Sequence, residues 1–344
     1  MKLTRRMRLW FCLAGASTVL LLAGVFAAAQ NGGVAPAHAI MVHAEPIASF
    51  DNRDPRRRVF GALEFRGGLE LTSTDKDFGG LSSLRVAADG EHFISASDRG
   101  RWFRGRIIYK DGVPSGISDV ETAPMLGPDG LPLTKRGWYD TESLAKDGDT
   151  LYVGIERVEK IVRFDYGRDG LQAHGQPITV PRDFKTLSAN KSLECLVAVP
   201  RNMPHAGSLL TVTERSLDAS GNHRSYLLKG GNVVRFTVKR SDDFDVSDCA
   251  ILPSADLLLL ERRFSFARGL AIRIIRVPLA SIKPDALVDG KELFKADLAY
   301  QIDNMEGLSV HQNARGEVIL SLISDDNFSV LQRTLLLQFA LVGE

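Results

Sequence analysis

The sequence predicts an all-β fold, a single β-propeller of five or six four-stranded blades closed by its N- and C-terminal strands. Three observations lead there: a recurring phrase, its spacing, and two strands left over at the ends. The phrase is an acid in a short apolar stretch, a turn, then an apolar strand ending in a second acid, usually beside Arg. Its clearest copy is DTESLAKDGDTLYVGIER at 140–157. SLECLVAVP leads to SLLTVTER, FDVSDCAILP to ADLLLLERR, and NMEGLSVHQNARGEVILSLISDD closes the series. GGLSSLRVAADGEHFISASDRG has the same shape, with Ser82 where the first acid stands elsewhere. The aligned positions Ser82, Glu142, Glu194, Asp248 and Glu306 lie 60, 52, 54 and 58 residues apart. A period of this size built from strand signals points to a propeller or a related array.

Each unit supplies its own strands. In the 140–157 copy, Leu151, Val153 and Ile155 alternate with Tyr152, Gly154 and Glu156, the period of two of a half-buried strand. Turn signals fall at 89–91, 147–149, 253–256 and 313–317. After the hairpins come RGRIIYK, KIVRFDY and NVVRFTV, giving about four strands per unit, the content of a blade. Long amphipathic helices are absent from the pattern. Five hairpin units leave strands at 61–71 and 334–342 outside them. Pairing these two closes the ring and removes exposed sheet edges. A sixth blade, degenerate or assembled from the termini, stays open at this stage.

Residues 1–29 read as a signal peptide: Lys2, Arg5, Arg6 and Arg8 precede an apolar run that ends in small residues, with Ala27 and Ala29 before Gln30. The alternative is an uncleaved N-terminal anchor, since the run approaches the roughly 20 residues that span a bilayer. The expected location is periplasmic or secreted, or at the inner membrane if the leader stays; the leader is then the sole membrane contact. Residues 30–50 read as a linker and 51–344 as the propeller domain. The formal charge of +1 comes from the leader; without its four basic residues the balance is 39 basic to 42 acidic. No surplus of clustered Lys and Arg marks a nucleic-acid footprint. Beyond the leader only Cys195 and Cys249 remain, each following the acid of its repeat. They are expected as two buried free thiols, although export would permit a bridge if their Cα atoms lie within about 7 Å.

The hairpins bring first and second acids to the same end. Glu142 with Glu156, Glu194 with Glu214, Asp248 with Glu261, and Glu306 with Asp325 or Asp326 are therefore expected around one mouth of the channel, joined by Asp98. Carboxylates crowded in this way raise one another's pKa and call for positive charge. Two sources stand side by side. Arg99, Arg157, Arg215, Arg262 and Arg263 follow the second acids and face the other way, toward neighbouring blades. The other source is calcium, a hard cation taking six to eight oxygen ligands, with Glu142, Glu156, Glu194, Glu214, Asp248, Glu261, Glu306 and Asp325 as candidate ligands.

Taken in order, GGLSSL with SDRG, NKSLECL (190–196), ERRF (261–264), DNMEGLS (303–309), and SDDNF with QRTLLL resemble the bacterial phytase-like family known for esterase-like activity of phytase. The resemblance runs over roughly 61–341. It implies a secreted or envelope propeller, loosely similar to calcium-dependent phytases, that hydrolyses an ester or phosphoester. Ser83 and Cys195 stand where the family's phrases usually carry Gly, which narrows the expected mouth.

A calcium-type phosphohydrolase needs cations at the phosphate, an activated water and basic side chains to clamp oxygens. Lys191, Arg262 and Arg263 are the candidate clamps, and Arg333 reads as structural. There is no G-x-S-x-G elbow and no H-E-x-x-H cluster, which speaks against a serine esterase and against zinc. The leading expectation is a cation-assisted hydrolase of small-molecule phosphoesters or related esters. The competing classes are a noncatalytic envelope propeller binding a ligand or protein partner, and a calcium-dependent lactonase-like enzyme. Oligomeric state is not legible from the sequence.

Overall fold

Five sheets stand around one axis, and their innermost strands are Arg85–Val86, Thr141–Asp147, Cys195–Ala198, Asp245–Ile251 and Met305–Gln312. The computed structural model describes residues 36–189 and 191–343; the leader read at 1–29 lies outside the described residues. Blade one continues outward through His92–Ser97, Arg101–Lys110 and Val113–Pro124, and blade two through Thr150–Ile155, Lys160–Phe164 and Gln176–Pro177. Blade three adds Leu209–Leu217, His223–Lys229 and Asn232–Val238; blade four adds Asp256–Ser265, Gly269–Pro278 and Lys291–Asp297. The strands within these four-stranded cores are antiparallel, as the hairpin signals required.

Blade five settles the count. After Met305–Gln312 and Val318–Ser324 comes the C-terminal Thr334–Leu341, which pairs with the N-terminal Leu63–Thr72. The two ends thus form the outer half of the fifth blade, and the sixth blade left open by the sequence is not there. The stretch read as a linker, 30–50, differs from that reading in its described part. His43–Ile47 adds a strand outside Leu63–Thr72, and His38–Ala39 one outside Val113–Pro124. Phe50 is fully buried among Phe60, Phe65, Phe294, Tyr300 and Phe339. Gly, Ala and Pro in that segment hid a strand whose register comes from its partner.

Apolar side chains fill the seams between blades, one cluster to each. Trp102 meets Phe164 between blades one and two, and Leu196 and Tyr226 meet Ile161 between two and three. Val212 and Phe236 face Leu257 and Leu259 between three and four; Leu258, Ile272, Leu320 and Phe339 share the seam of four and five. Leu84 and Phe103 pack on Leu69 and Leu336 to close five against one. Strands buried on both faces explain the continuous apolar run ADLLLL, where alternation fails.

Nearest the axis only small groups fit. Ser82 donates to the Thr141 carbonyl, Ser143 to the Leu193 carbonyl and Ser247 to the Met305 carbonyl, each hydroxyl reaching the next blade. Gly307 serves the fifth seam, where a Cβ would stand 2.9 Å from Ser83 and Leu84 backbone atoms. The remaining seam, three to four, is crossed by a disulfide between Cys195 and Cys249, whose Cα atoms are 5.1 Å apart. This overturns the expectation of two free thiols. Cys195, the seam residue of blade three, meets Cys249, two residues beyond the seam residue Ser247 of blade four, a closeness that sequence spacing does not reveal.

The bridge closes a loop with a sequence separation of 54, worth about 4 kcal/mol by loop-closure entropy. Replacing both cysteines with Ser is expected to lower the melting temperature by roughly 5–10 °C with the strand signal in circular dichroism retained. An unchanged melting temperature would mean that the bridge contributes nothing to stability.

Candidate functional site

At one end of the channel the hairpins deliver their acids into an open cavity of about 830 Å³. Inner strands bring Glu142 and Glu306, and Glu194 enters just before its strand. The ends of the second strands bring Asp98, Glu156, Glu214 and Asp325. Backbone hydrogen bonds hold these four alike: the amides of Asp98, Glu156, Glu214 and Asp325 donate to the carbonyls of Gly80, Asp140, Ser192 and Asn304. Six of the eight predicted ligands are therefore brought together, with Asp98 as expected.

Asp248 and Glu261 are not among them, and the reason is register. Blades two, three and five carry the acid before the small seam residue, as Glu142–Ser143, Glu194–Cys195 and Glu306–Gly307; blade four reverses the order to Ser247–Asp248. In a strand, one residue of displacement turns the side chain to the opposite face. The pairing also shifts between Val246 and Asp248, so that Asp245 opposes Arg262 and Val246 opposes Glu261. Arg262 thereby takes the place in blade four that carboxylates hold in the others. Glu261, fully buried, pairs with Arg273 directly across the strand.

Asp248 lies below the cavity, where Arg85 crosses the channel. The guanidinium meets Asp248 at 2.9 and 3.2 Å and donates to the carbonyls of Leu84, Leu196 and Leu308 at 2.6–3.0 Å. It thus ties together the inner segments of four blades, its own among them. Burial pushes the Asp248 carboxyl up, against the downward pull of Arg85. Nothing in the sequence marked Arg85, since no repeat has a basic residue at that place.

Within the cavity, negative charge outweighs positive. Nine lining side chains are carboxylates and two, Lys191 and Arg262, are cations. Asp140 on the rim is partnered by Arg157, and Asp303 by Arg333. Arg262 serves the centre: it reaches Glu306 at 3.2 Å, Glu214 at 3.5 Å and the Asn304 amide oxygen at 2.7 Å, while Asn304 donates to Glu306. These carboxylates hold its guanidinium firmly protonated.

The acids farther from Arg262 show the cost. Burial, then repulsion from Glu306 and Glu156, pushes Glu142 well above the carboxylate range; burial and Glu156 do the same to Glu194. Glu156 is pushed up to about 8 chiefly by burial, although it accepts the Ser192 amide. Asp325 reaches about 8 and Asp98 about 6, both mainly through burial. One oxygen of Glu194 is buried without a hydrogen-bond partner, a cost of the order of 1–3 kcal/mol unless something occupies it.

The candidate clamps divide. Arg262 and Lys191 line the cavity, whereas Arg263 turns out of it, lying over the Phe244 ring and donating to the Asp242 carbonyl. Alternation along the strand separates the two arginines. Of the five arginines expected to bridge blades, Arg215 reaches Asp245, Arg262 reaches Glu214 and Glu306, and Arg99 lies 3.2 Å from the Phe328 ring centre. Arg157 and Arg263 instead bind within their own blades. Arg333 is structural, donating its amide to Asp303 and contacting Glu70 and Gln301.

The donors suit a hard cation, being all oxygen, partly buried and short of positive partners. Among the described residues no three His, Cys, Asp or Glu side chains are already grouped as a ligand set. A cation would have to draw the carboxylates inward.

Several solved structures are distantly similar to the chain. The catalytic domain of a Coprinopsis cinerea GH62 α-L-arabinofuranosidase is 10% identical, covering 83% of this chain and 99% of its own, with a TM-score of 0.47. A Podospora anserina α-L-arabinofuranosidase in complex with cellotriose is 9% identical over 81% and 97%, with a TM-score of 0.48. A PQQ-bound aldose sugar dehydrogenase from Streptomyces coelicolor is 12% identical over 88% and 99%, with a TM-score of 0.40. These likenesses say nothing of activity, and no curated protein matches the chain. The profile described as Phytase-like, esterase-like activity of phytase, matches residues 76–328. With most of the propeller inside that match, the chain belongs to the phytase-like family with esterase-like activity of phytase.

Proposed function

We propose that the protein is an exported hydrolase that binds a hard cation, calcium by its ligand chemistry, at the acidic mouth and cleaves phosphoesters or related esters there. The observation that carries this reading is the surplus of carboxylates, with a buried unpartnered Glu194 oxygen, in an open cavity that also holds Arg262 and Lys191. Glu142, Glu194 and Glu306 would hold the cation with Glu156 and Asp325. When bound, such an ion polarises an ester oxygen and makes a bound water more acidic. Arg262 is permanently charged and placed to bind an anionic oxygen, assisted by Lys191. Without the cation, burial keeps Glu156 and Asp325 largely protonated near neutral pH, and cation binding would release those protons. Export is supported by the composition of the leader and by the Cys195–Cys249 bridge, which persists in an oxidising compartment.

Calcium titration of the purified protein, with melting temperature and turnover of phosphoesters, carboxylic esters and lactones followed together, tests the reading. Stabilisation by several degrees with metal-dependent turnover is expected. Stabilisation without turnover of any substrate would remove catalysis and leave a binding propeller; neither response would remove the cation. Glu194→Gln combined with Glu142→Gln should abolish the calcium-induced shift while the unliganded protein stays folded.

pH supplies an independent check. A carboxyl whose folded pKa is raised keeps its proton in the native state while the unfolded chain gives it up. Stability from Glu156, Asp325 and Asp98 is therefore full below about pH 4 and lost as pH rises toward about 8. Without divalent cations the melting temperature should fall by several degrees between pH 5 and 8, and calcium should recover most at the upper end. A flat or rising profile would mean that these carboxylates are ionised without strain.

A further inference from the structure

We propose that the substrate of this site is amphipathic: an ester whose charged group enters the acidic cavity and whose other part, aromatic or aliphatic, lies on an apolar lip formed by blades four and five. This rests on the hydrolytic reading above and names its substrate class.

The lip is visible in where the protein leaves apolar surface uncovered. Among the described residues, five of the six most exposed large apolar side chains are Val330, Phe266, Leu331, Phe264 and Leu298, with relative exposures of 101, 100, 89, 65 and 59%. Singly exposed apolar residues are ordinary, but a cluster rimmed by polar groups marks a contact surface. Three of these side chains, Phe264, Leu298 and Leu331, line the same cavity as the carboxylates, together with the half-buried Leu270. The lip is therefore continuous with the acidic floor.

Separate segments converge to make it. Phe264 and Leu270 are directly opposed in the hairpin between the second and third strands of blade four, and Phe266 at its tip meets Phe264 edge to face at 5.6 Å. Leu298 follows the last strand of that blade and approaches Gly269, where a Cβ would lie 3.5 Å from its Cδ1. Val330 and Leu331 come from the connection between Val318–Ser324 and Thr334–Leu341. Blades one to three offer a different rim, with Asp98, Asp140 and Lys191. Among the described residues an entering molecule thus finds no large apolar side chain on one side and, on the other, four of them set among Asp303, Asn327, Ser329 and Gln332. A wholly polar polyanion would leave the lip wet and gain nothing from it. An ester with an apolar group covers it, and the orientation that does so directs the charged end toward Arg262 and the carboxylates.

The test compares 1-naphthyl phosphate with glycerol phosphate, and mono-1-naphthyl succinate with monomethyl succinate, at saturating calcium. Naphthol leaves more readily than glycerol, so the readouts are Kd by calorimetry and KM, not kcat. The naphthyl compounds should bind at least about tenfold more tightly, the gain available from partly burying a ring. The exposed triple variant Phe264→Ser, Phe266→Ser, Leu331→Ser should lose most of that preference, with glycerol phosphate affinity and melting temperature unchanged. Equal affinities, or a preference that survives the triple substitution, would overturn the lip. Turnover of glycerol phosphate with no naphthyl preference would defeat the lip alone. Naphthyl phosphate bound without turnover, in a manner lost in the variant, would keep the lip and defeat catalysis. Binding of none of the four would defeat the hydrolytic reading and the lip with it.

Discussion

Five sheets can share one axis only if their innermost backbones come close, and that crowding decides what every inner strand may carry. Toward the neighbouring blade there is room for a hydroxyl, a glycine or a sulfur bridge, which is what Ser82, Ser143, Ser247, Gly307 and Cys195 supply. Because side chains alternate, the residue before each small one is directed to the axis. Where that residue is Glu142, Glu194 or Glu306, the same geometry that closes the ring gathers charge in its mouth. Packing and chemistry are two faces of one strand.

Gathered carboxylates cannot all remain ionised, and the molecule answers in two ways. Below the mouth Asp248 has Arg85, and Glu261, turned away from the axis by strand alternation, has Arg273. Such pairs are costly to break from one side, because the remaining charge is stranded. At the mouth, among the described residues, only the cations Arg262 and Lys191 stand beside nine carboxylates, and burial raises the pKa of Glu142 and Glu194 well above the usual range. The contrast matters because basic residues are plentiful in this chain. Full neutralisation was within reach at the mouth, as those two pairs demonstrate.

Much of this was legible in the sequence. The repeat gave strand order, hairpin turns and the mouth as the meeting place of acids, because a period of two and turn chemistry are local properties. What escaped was set by contacts between distant segments. The reversed dipeptide Ser247–Asp248 was visible as letters, but its meaning needed the seam role of the small residue. Arg85 spans to strands 111–223 residues away, and its place in the repeat is otherwise apolar or polar. The pairing of Cys195 with Cys249 depends on a Cα distance that only the closed ring defines. The strand His43–Ile47 takes its register from Leu63–Thr72, so its own composition is uninformative.

The departures from fivefold symmetry are the strongest argument that the mouth is more than structure. A ring that served only to fasten blades would repeat one solution five times, as the hydroxyl seams nearly do. Here blade one contributes Asp98 but no inner-strand acid, and blade four substitutes Arg262 for a carboxylate. The loops above blades four and five expose Phe266 and Leu331 to water, where other loops keep their apolar residues covered or dispersed. Each departure lies at the same end of the channel, and each adds a chemical direction to the cavity: one guanidinium, one charged side, one apolar side. Stability gives no reason for placing them together, whereas recognition of a molecule with unlike ends requires it.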